Sequence, residues 1–109
     1  MKNIADIRQE YTKSGLRESE LPCDPLSLFS RWLQEAIDAN VEEPTAVIVG
    51  TVSPEGRPST RTVLLKGLHD GKFIFYTNYE SRKGRQLAQN PYISLSFVWH
   101  ELERQVHIE

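Results

Sequence analysis

Residue types that bind phosphate are concentrated in the segment Phe75–Leu87. Its pattern predicts a strand that runs into a loop and then enters a helix near Ser81. Arg82 and Lys83 stand at that helix start, where free backbone N–H groups and the helix dipole already favour an anion. Cations there oppose the dipole unless an anion is bound, so the cluster indicates a phosphate site rather than a solvated helix start. Thr77, at the strand end, is placed to donate its hydroxyl to that phosphate.

A second cationic segment, Arg61–Lys66, is predicted to be a strand. Arg61 and Lys66 are five residues apart, and an odd spacing puts two side chains on opposite faces of a flat strand. One ligand could meet both cations only if the strand twists or bulges, or if Lys66 curls over from the strand end. The backbone N–H and C=O groups of residues 62–65 could bind the edge of a flat heterocycle. Tyr76 is most simply a sheet residue with its hydroxyl at the rim.

Length and composition describe one small globular domain. The chain has 109 residues, of which 39% are hydrophobic and 26% are charged, as in ordinary soluble proteins. No apolar run approaches the ~20 residues that a membrane-spanning helix needs, and the first residues lack the apolar core of a signal peptide. Cys23 is the single cysteine, so no internal disulfide can form and a cytoplasmic location is predicted.

Charge is distributed unevenly along the chain. The segment Arg57–Arg85 has seven cations and two anions, a local charge of +5, whereas the whole chain carries −2. A cationic patch on an otherwise acidic protein favours a compact anionic ligand, because nucleic-acid-binding domains are more often basic overall. We therefore predict no nucleic-acid partner, and no membrane partner. His69, His100 and His107 have no cysteine or acidic ligand at metal spacing, so no metal site is predicted.

Hydrophobic periodicity and turn residues predict one long helix followed by strands. Asp24-Pro25 is a helix start, and apolar residues then recur at helical spacing. The β-branched run at residues 45–52 predicts a strand buried on both faces. Further strands are predicted at residues 60–66, 72–77, 92–99 and from 105 onward. Asp70-Gly71 indicates a hairpin turn, and because the sequence ends inside the last strand, we expect a longer protein.

Four segments, in this order and spacing, closely resemble the pyridoxine/pyridoxamine 5′-phosphate oxidase family. They are Arg61–Lys66, Phe75–Asn78, Ser81–Gly84 and Glu103–Val106. The resemblance begins near Arg8, includes the N-terminal element Arg8–Tyr11, and runs to the last residue. It covers nearly the whole chain with specific motifs.

The resemblance implies a fold that is mainly β with flanking helices. This fold is an antiparallel FMN-binding split β-barrel, which would be incomplete in this chain. Residues 1–22 would form a mobile N-terminal lid and linker, and residues 23–109 the N-terminal part of the barrel. The family assembles as a homodimer with two FMN sites at the subunit interface. These properties are implied by the resemblance, and spacing alone does not give them.

The resemblance also implies which residues bind ligands. The positions that would bind FMN are Arg61, Thr62, Val63, Leu64, Leu65, Lys66, Tyr76, Thr77, Arg82, Lys83 and Gln105. The positions that would bind substrate are Arg8, Gln9, Glu10, Tyr11 and Lys66. No residue of this chain is assigned as a catalytic acid or base.

The implied activity is FMN-dependent oxidation of pyridoxine or pyridoxamine 5′-phosphate to pyridoxal 5′-phosphate. Dioxygen is the acceptor and hydrogen peroxide the second product. The alternative is a flavin-binding split-barrel module without oxidase activity, which would keep Arg61, Arg82 and Lys83 but need no substrate lid. The match at Arg8–Tyr11 and at Leu64–Lys66 favours the oxidase.

Replacing Arg82 with alanine tests the phosphate assignment. A hydrogen bond from this guanidinium to a phosphate contributes about 1.5–3 kcal/mol, so Arg82→Ala in the full-length protein should weaken FMN binding roughly 10- to 150-fold. Riboflavin, which lacks the phosphate, is the control ligand, and the variant and the parent should bind it almost equally. Equal losses for FMN and riboflavin in the titration would contradict the assignment.

Overall fold

The computed structural model describes residues 3–7, 16–76 and 90–109. Over these residues the chain forms one α-helix, six β-strands and three short 3-10 helices. The α-helix is α1 (Pro25–Asp38). The strands are β1 (Ala46–Val52), β2 (Pro58–Leu64), β3 (Gly67–His69), β4 (Lys72–Ile74), β5 (Ile93–Trp99) and β6 (Arg104–Ile108). The 3-10 helices are Ile4–Asp6, Glu18–Glu20 and His100–Leu102.

Helix α1 begins where the sequence predicts. The Asp24 carboxylate accepts a hydrogen bond from the backbone N–H of Leu26 at 3.0 Å, and Pro25 occupies the first helical position. This cap satisfies one of the free N–H groups of the first turn, and proline has none to satisfy. The predicted helix start is therefore confirmed.

Four strands form one antiparallel sheet in the order β2-β1-β5-β6, and β3 and β4 form a separate hairpin. Strands β2 and β6 are the two edges of the four-stranded sheet. Across the described residues the sheet stays open and does not close on itself. An edge strand leaves half of its backbone groups without a partner strand, so in the described sheet half of those of β2 face away from β1.

One face of the sheet, called the inner face, is buried against α1. In β1 the buried residues alternate as Val47, Val49 and Thr51, and Leu95 of β5 lies opposite Val49 on the same face. Ile48 points to the opposite, outer face and is 43% exposed. The prediction that this strand is buried on both faces is therefore wrong for the described part of the chain, because the helix covers only one side.

An aromatic cluster joins α1 to the inner face. The ring centroid of Phe29 lies 4.9 Å from that of Phe97, 5.1 Å from Phe73 and 6.0 Å from Trp99. Aromatic pairs at such separations contribute about 0.5–1.5 kcal/mol each beyond the burial of their area. The Trp99 indole N–H also donates to the carbonyl of Pro44 at 2.8 Å, which fixes the chain just before β1.

The β3–β4 hairpin packs beside this cluster. Asp70 and Gly71 have φ values of 50° and 72°, the two left-handed residues of the turn that Asp-Gly predicts. A β-carbon added at Gly71 would lie 3.3 Å from Leu26 Cδ1, so the turn touches the first turn of α1. Phe73 of β4 belongs to the aromatic cluster. These contacts with α1 and with the aromatic cluster fix the position of the hairpin, and with it the position of Lys66, the residue just before β3.

The described residues thus form mainly antiparallel β structure with one flanking helix, which confirms the predicted fold class. The strand predicted at residues 72–77 ends earlier, at Ile74. The division of the chain at residue 22 stays a prediction. No helix in the described part of the chain is long and apolar enough to cross a membrane.

Candidate functional site

The candidate site is the end of β2, where the predicted cationic strand meets the rest of the fold. The register places Arg61 opposite Val49 on the inner face and Thr62 opposite Ile48 on the outer face. Leu64 also lies on the outer face and is 43% exposed. Because side chains alternate along a strand, Arg61 and Thr62 point to different sides of the same edge.

The free edge of β2 offers backbone groups that a ligand can reach. The N–H of Leu65 donates to the carbonyl of Thr45 at 2.9 Å, so this opposed pair is hydrogen-bonded. Opposed pairs of an antiparallel ladder alternate between bonded and non-bonded, so Val63 also bonds to β1. The N–H and C=O groups of Thr62 and Leu64 therefore point away from β1, towards a side where no described strand lies. Two peptide groups are available there to the edge of a flat heterocycle.

The backbone after β2 is held from two sides. Leu65 is bonded to Thr45 at the start of β1, and the N–H of Lys66 donates to the carbonyl of Ile74 at 2.7 Å. Leu65 is 6% exposed, so its side chain belongs to the core and cannot itself contact a ligand from solvent. The Lys66 side chain is exposed. Tyr76 is 75% exposed and follows the strand to which Lys66 is bonded, so the two residues stand at the same end of the hairpin.

The two cations of this segment are available for a ligand. In the part of the chain that the structure describes, neither Arg61 nor Lys66 forms an ion pair or a side-chain hydrogen bond. Both side chains are exposed, one on the inner side of the β2 edge and the other beyond its end. β2 ends at Leu64, so the register gives the face of Arg61 but not that of Lys66, and the opposite orientation of the two residues stays a prediction. A ligand that bound both would have to lie along the edge rather than on one face.

Gln105 lies at the other edge of the sheet. It is opposite Val98 on the outer face and is exposed. β1 and β5 separate it from β2, so three strand spacings, about 14 Å in total, lie between the two edges. It borders a hollow of about 100 Å³ that is lined by Val98, His100, Glu103, Arg104 and Gln105. Pockets for whole ligands are usually about 300–1,000 Å³, so Gln105 can offer an edge contact but not an enclosed site.

The other predicted site residues lie outside the described residues. They are Thr77, Arg82 and Lys83 of the phosphate cluster and Arg8, Gln9, Glu10 and Tyr11 of the lid element. The structure places Arg61–Leu64 on the β2 edge, Lys66 and Tyr76 at the same end of the neighbouring hairpin, and Gln105 at the other edge of the sheet. Their assignment to ligands stays a prediction.

Two polar arrangements were not predicted from the sequence. The Arg104 guanidinium lies over the Trp32 ring, 4.6 Å from its centroid, and pairs with the Glu35 carboxylate. On the outer face, Ser96 Oγ and His107 Nδ1 are 2.9 Å apart. Arg104 and Glu35 are 69 residues apart in sequence, so no local spacing signals their pairing. No group of three or more His, Cys, Asp or Glu side chains within the described ranges could hold a metal ion.

Comparisons with solved structures define the class of fold. PhzG from Burkholderia lata, solved with tetrahydrophenazine-1-carboxylic acid, superposes with a TM-score of 0.82 at 34% identity, covering 88% of this chain and 48% of PhzG. A pyridoxamine 5′-phosphate oxidase-related, FMN-binding protein from Nostoc punctiforme superposes with a TM-score of 0.67 at 22% identity, covering 78% of this chain and 45% of that protein. The chain has the split-barrel fold of these proteins.

Sequence comparison then gives the family. The family described as Pyridoxamine 5′-phosphate oxidase matches residues 33–109. The Pyridoxine/pyridoxamine 5′-phosphate oxidase of Bacteroides thetaiotaomicron is 99% identical over 109 residues, which cover 100% of this chain and 51% of the relative. The chain belongs to the pyridoxamine 5′-phosphate oxidase family. It spans about half the length of the curated relatives that it matches.

Proline substitutions in β2 test which backbone groups are free. Thr62→Pro removes an N–H that points away from β1, whereas Val63→Pro removes one that bonds to it. Because a carbonyl of β1 then loses its donor, Val63→Pro should lower the free energy of unfolding by about 1–3 kcal/mol more than Thr62→Pro does. Urea denaturation of both variants measures this difference. Equal losses, or a larger loss for Thr62→Pro, would show that the assignment of the free edge is wrong.

Proposed function

We propose that this chain contributes the FMN-binding edge of an oxidase that converts pyridoxine or pyridoxamine 5′-phosphate to pyridoxal 5′-phosphate. Dioxygen is the acceptor and hydrogen peroxide the second product. One observation carries the proposal: among the described residues, the outward peptide groups of Thr62 and Leu64 have no partner strand, and the flanking cations Arg61 and Lys66 form no ion pair. Family membership supports the proposal, since the relative that is 99% identical has this activity in its name.

The residues at this edge fit the chemistry of FMN, which combines a phosphate with a flat ring bearing hydrogen-bonding edges. Arg61 presents a planar guanidinium, which can donate two parallel hydrogen bonds to two oxygens of a phosphate. The outward N–H and C=O groups of Thr62 and Leu64 match the alternating donors and acceptors along one ring edge. Leu65, anchored in the core, keeps that backbone fixed, so little entropy is lost when a ligand orders it. Thr77, Arg82 and Lys83 are proposed to complete the phosphate site.

Bound FMN would supply the two-electron redox chemistry. This chain is proposed to position the flavin and the substrate and to neutralise their phosphate charges. Lys66, at the end of the edge, is proposed to attract the substrate phosphate as well as to contact the flavin. Arg8–Tyr11 are proposed to cover the substrate. Tyr76, which follows β4, and Gln105, in the edge strand β6, are also proposed to contact the flavin.

A homodimer is part of the proposal. Gln105 stands about 14 Å from the β2 edge across three strand spacings, so one copy presents the predicted flavin residues on two separate edges. The outer face between those edges bears the half-exposed side chains of Ile48, Leu64 and Val98, each 43% exposed. A second copy over this face would bury apolar area and would also bring another set of flavin residues near each edge.

A cytoplasmic location remains a prediction of the sequence.

Turnover by the complete protein tests the proposed reaction. The sample is this chain joined to the second half of its Bacteroides thetaiotaomicron relative, called here the completed protein. With FMN, dioxygen and pyridoxine 5′-phosphate it should form hydrogen peroxide and pyridoxal 5′-phosphate in equal amounts. FMN binding without peroxide formation from either B6 phosphate would support the flavin-binding module instead. Absence of FMN binding would contradict both functions.

Lys66→Met separates substrate binding from cofactor binding. Loss of a charge-assisted hydrogen bond to the substrate phosphate should lower kcat/KM of the completed protein for pyridoxine 5′-phosphate about 10- to 150-fold. Most of the FMN affinity should remain, because Arg61 and the phosphate cluster are untouched. Lys72→Met is the matched control, since Lys72 is also an exposed lysine but lies beside the hairpin turn. Weaker FMN binding with normal kinetics at saturating FMN would restrict Lys66 to cofactor retention.

A further inference from the structure

The side chain of Arg104 joins β6 to α1. Its guanidinium lies over the Trp32 ring at 4.6 Å from the centroid and pairs with the Glu35 carboxylate. The Arg104 side chain is 18% exposed, whereas Glu35 is 44% exposed and also lies 4.0 Å from Arg31 within the helix. A planar cation that stacks on an aromatic ring and bonds a carboxylate at its edge is held in one orientation. A lysine ammonium has no planar fork, so it would not reproduce the same stacked and edge-bonded geometry.

This contact fixes the direction of the next side chain. Arg104 is the first residue of β6 and lies opposite Trp99, on the inner face. Gln105 follows it and lies opposite Val98, on the outer face. Successive side chains of a strand point to opposite faces, so a shift of β6 by one residue would turn Gln105 inward. The position of the Gln105 amide therefore depends on the inner anchor beside it.

On the outer face, the contact of His107 Nδ1 with Ser96 Oγ at 2.9 Å also holds β6 on β5, but it lies near the other end of the strand from Gln105. β6 is otherwise a short edge strand. It has five residues, forms an edge of the described sheet and pairs there only with β5. It follows a 3-10 helix and Glu103, whose φ of 53° is left-handed, so the chain turns sharply just before the strand. The other inner-face residues of β6 are Val106 and Ile108, which are only partly buried. Their apolar contacts are not directional, whereas the contacts of Arg104 are.

We infer that Arg104 is a positioning residue for Gln105: its stacking on Trp32 and its pairing with Glu35 hold β6 in the register that presents the Gln105 amide on the outer face. The Arg104 side chain points to the inner face and is not itself assigned as a flavin contact. The inference rests on the proposed function for the role of Gln105 as a flavin contact. The register that it explains is independent of any ligand.

A double-mutant cycle on the completed protein tests this inference. Gln105→Ala should weaken FMN binding roughly 3- to 10-fold, as expected for the loss of one neutral hydrogen bond, and Arg104→Met should do the same because it misplaces that amide. In the Gln105→Ala background, Arg104→Met should change the FMN dissociation constant by less than about twofold. Arg104→Lys should resemble Arg104→Met, and Glu35→Gln should show a smaller loss of the same kind. Arg31→Met, which removes the other arginine near Glu35, is the matched control and should leave FMN affinity unchanged.

Hydrogen–deuterium exchange gives a readout that needs no flavin. In Arg104→Met the backbone amides of residues 104–108 should exchange faster than in the parent, while those of β1 should be unchanged. Unchanged exchange of β6 in a folded Arg104→Met variant would overturn the inference. So would additive effects of Arg104→Met and Gln105→Ala, or an FMN affinity that Gln105→Ala does not alter. If the parent itself binds no FMN, the proposed function fails, and the role of Arg104 in flavin binding fails with it. If the β6 amides of Arg104→Met still exchanged faster in that case, Arg104 would be an anchor of β6 with no role in flavin binding.

Discussion

The ring of Phe29 packs among Phe73, Phe97 and Trp99, and through this contact α1 covers one face of the sheet. Covering a single face sets the register of every strand, because a slip by one residue would expose the whole apolar set of that strand. From this register follow the outward peptide groups of Thr62 and Leu64. The proposed flavin edge therefore depends on the packing of α1 against the inner face of the sheet.

The same constraint gives neighbouring residues at the end of β2 different roles. Leu65 faces the core and is 6% exposed, while Leu64 on the other side is 43% exposed. Core side chains hold the backbone, and the residues between them face solvent, where a ligand can reach them. In β6, Arg104 anchors the strand on the inner face and Gln105 faces solvent on the outer face. Here the anchor is a cation, which the Trp32 ring and the Glu35 carboxylate hold in place. Rigid positions with adjacent free groups are what a preorganised binding site requires.

Local patterns in the sequence predicted the parts of the fold that depend on local chemistry. Asp24-Pro25 predicted the start of α1, and Asp70-Gly71 predicted the hairpin turn, because capping and left-handed turns are determined by a few adjacent residues. Periodicity alone did not show that β1 is covered on one side only, since an apolar run looks the same whether one face or two are buried. The contact between Arg104 and Glu35 spans 69 residues and could not be predicted without the fold. For the site, the cations at the predicted helix start indicated a phosphate, and the resemblance implied that this phosphate belongs to FMN. The outward backbone groups of β2 could be identified only from the register.

The central claim is that FMN binds along the free edge of β2. The most direct measurement is a crystal structure of the completed protein with FMN. The account predicts that a phosphate oxygen lies within about 3.2 Å of the Arg61 guanidinium and that one edge of the flavin ring bonds the backbone of Thr62 or Leu64. An FMN molecule bound elsewhere, with the Thr62 and Leu64 peptide groups paired to another strand, would contradict it.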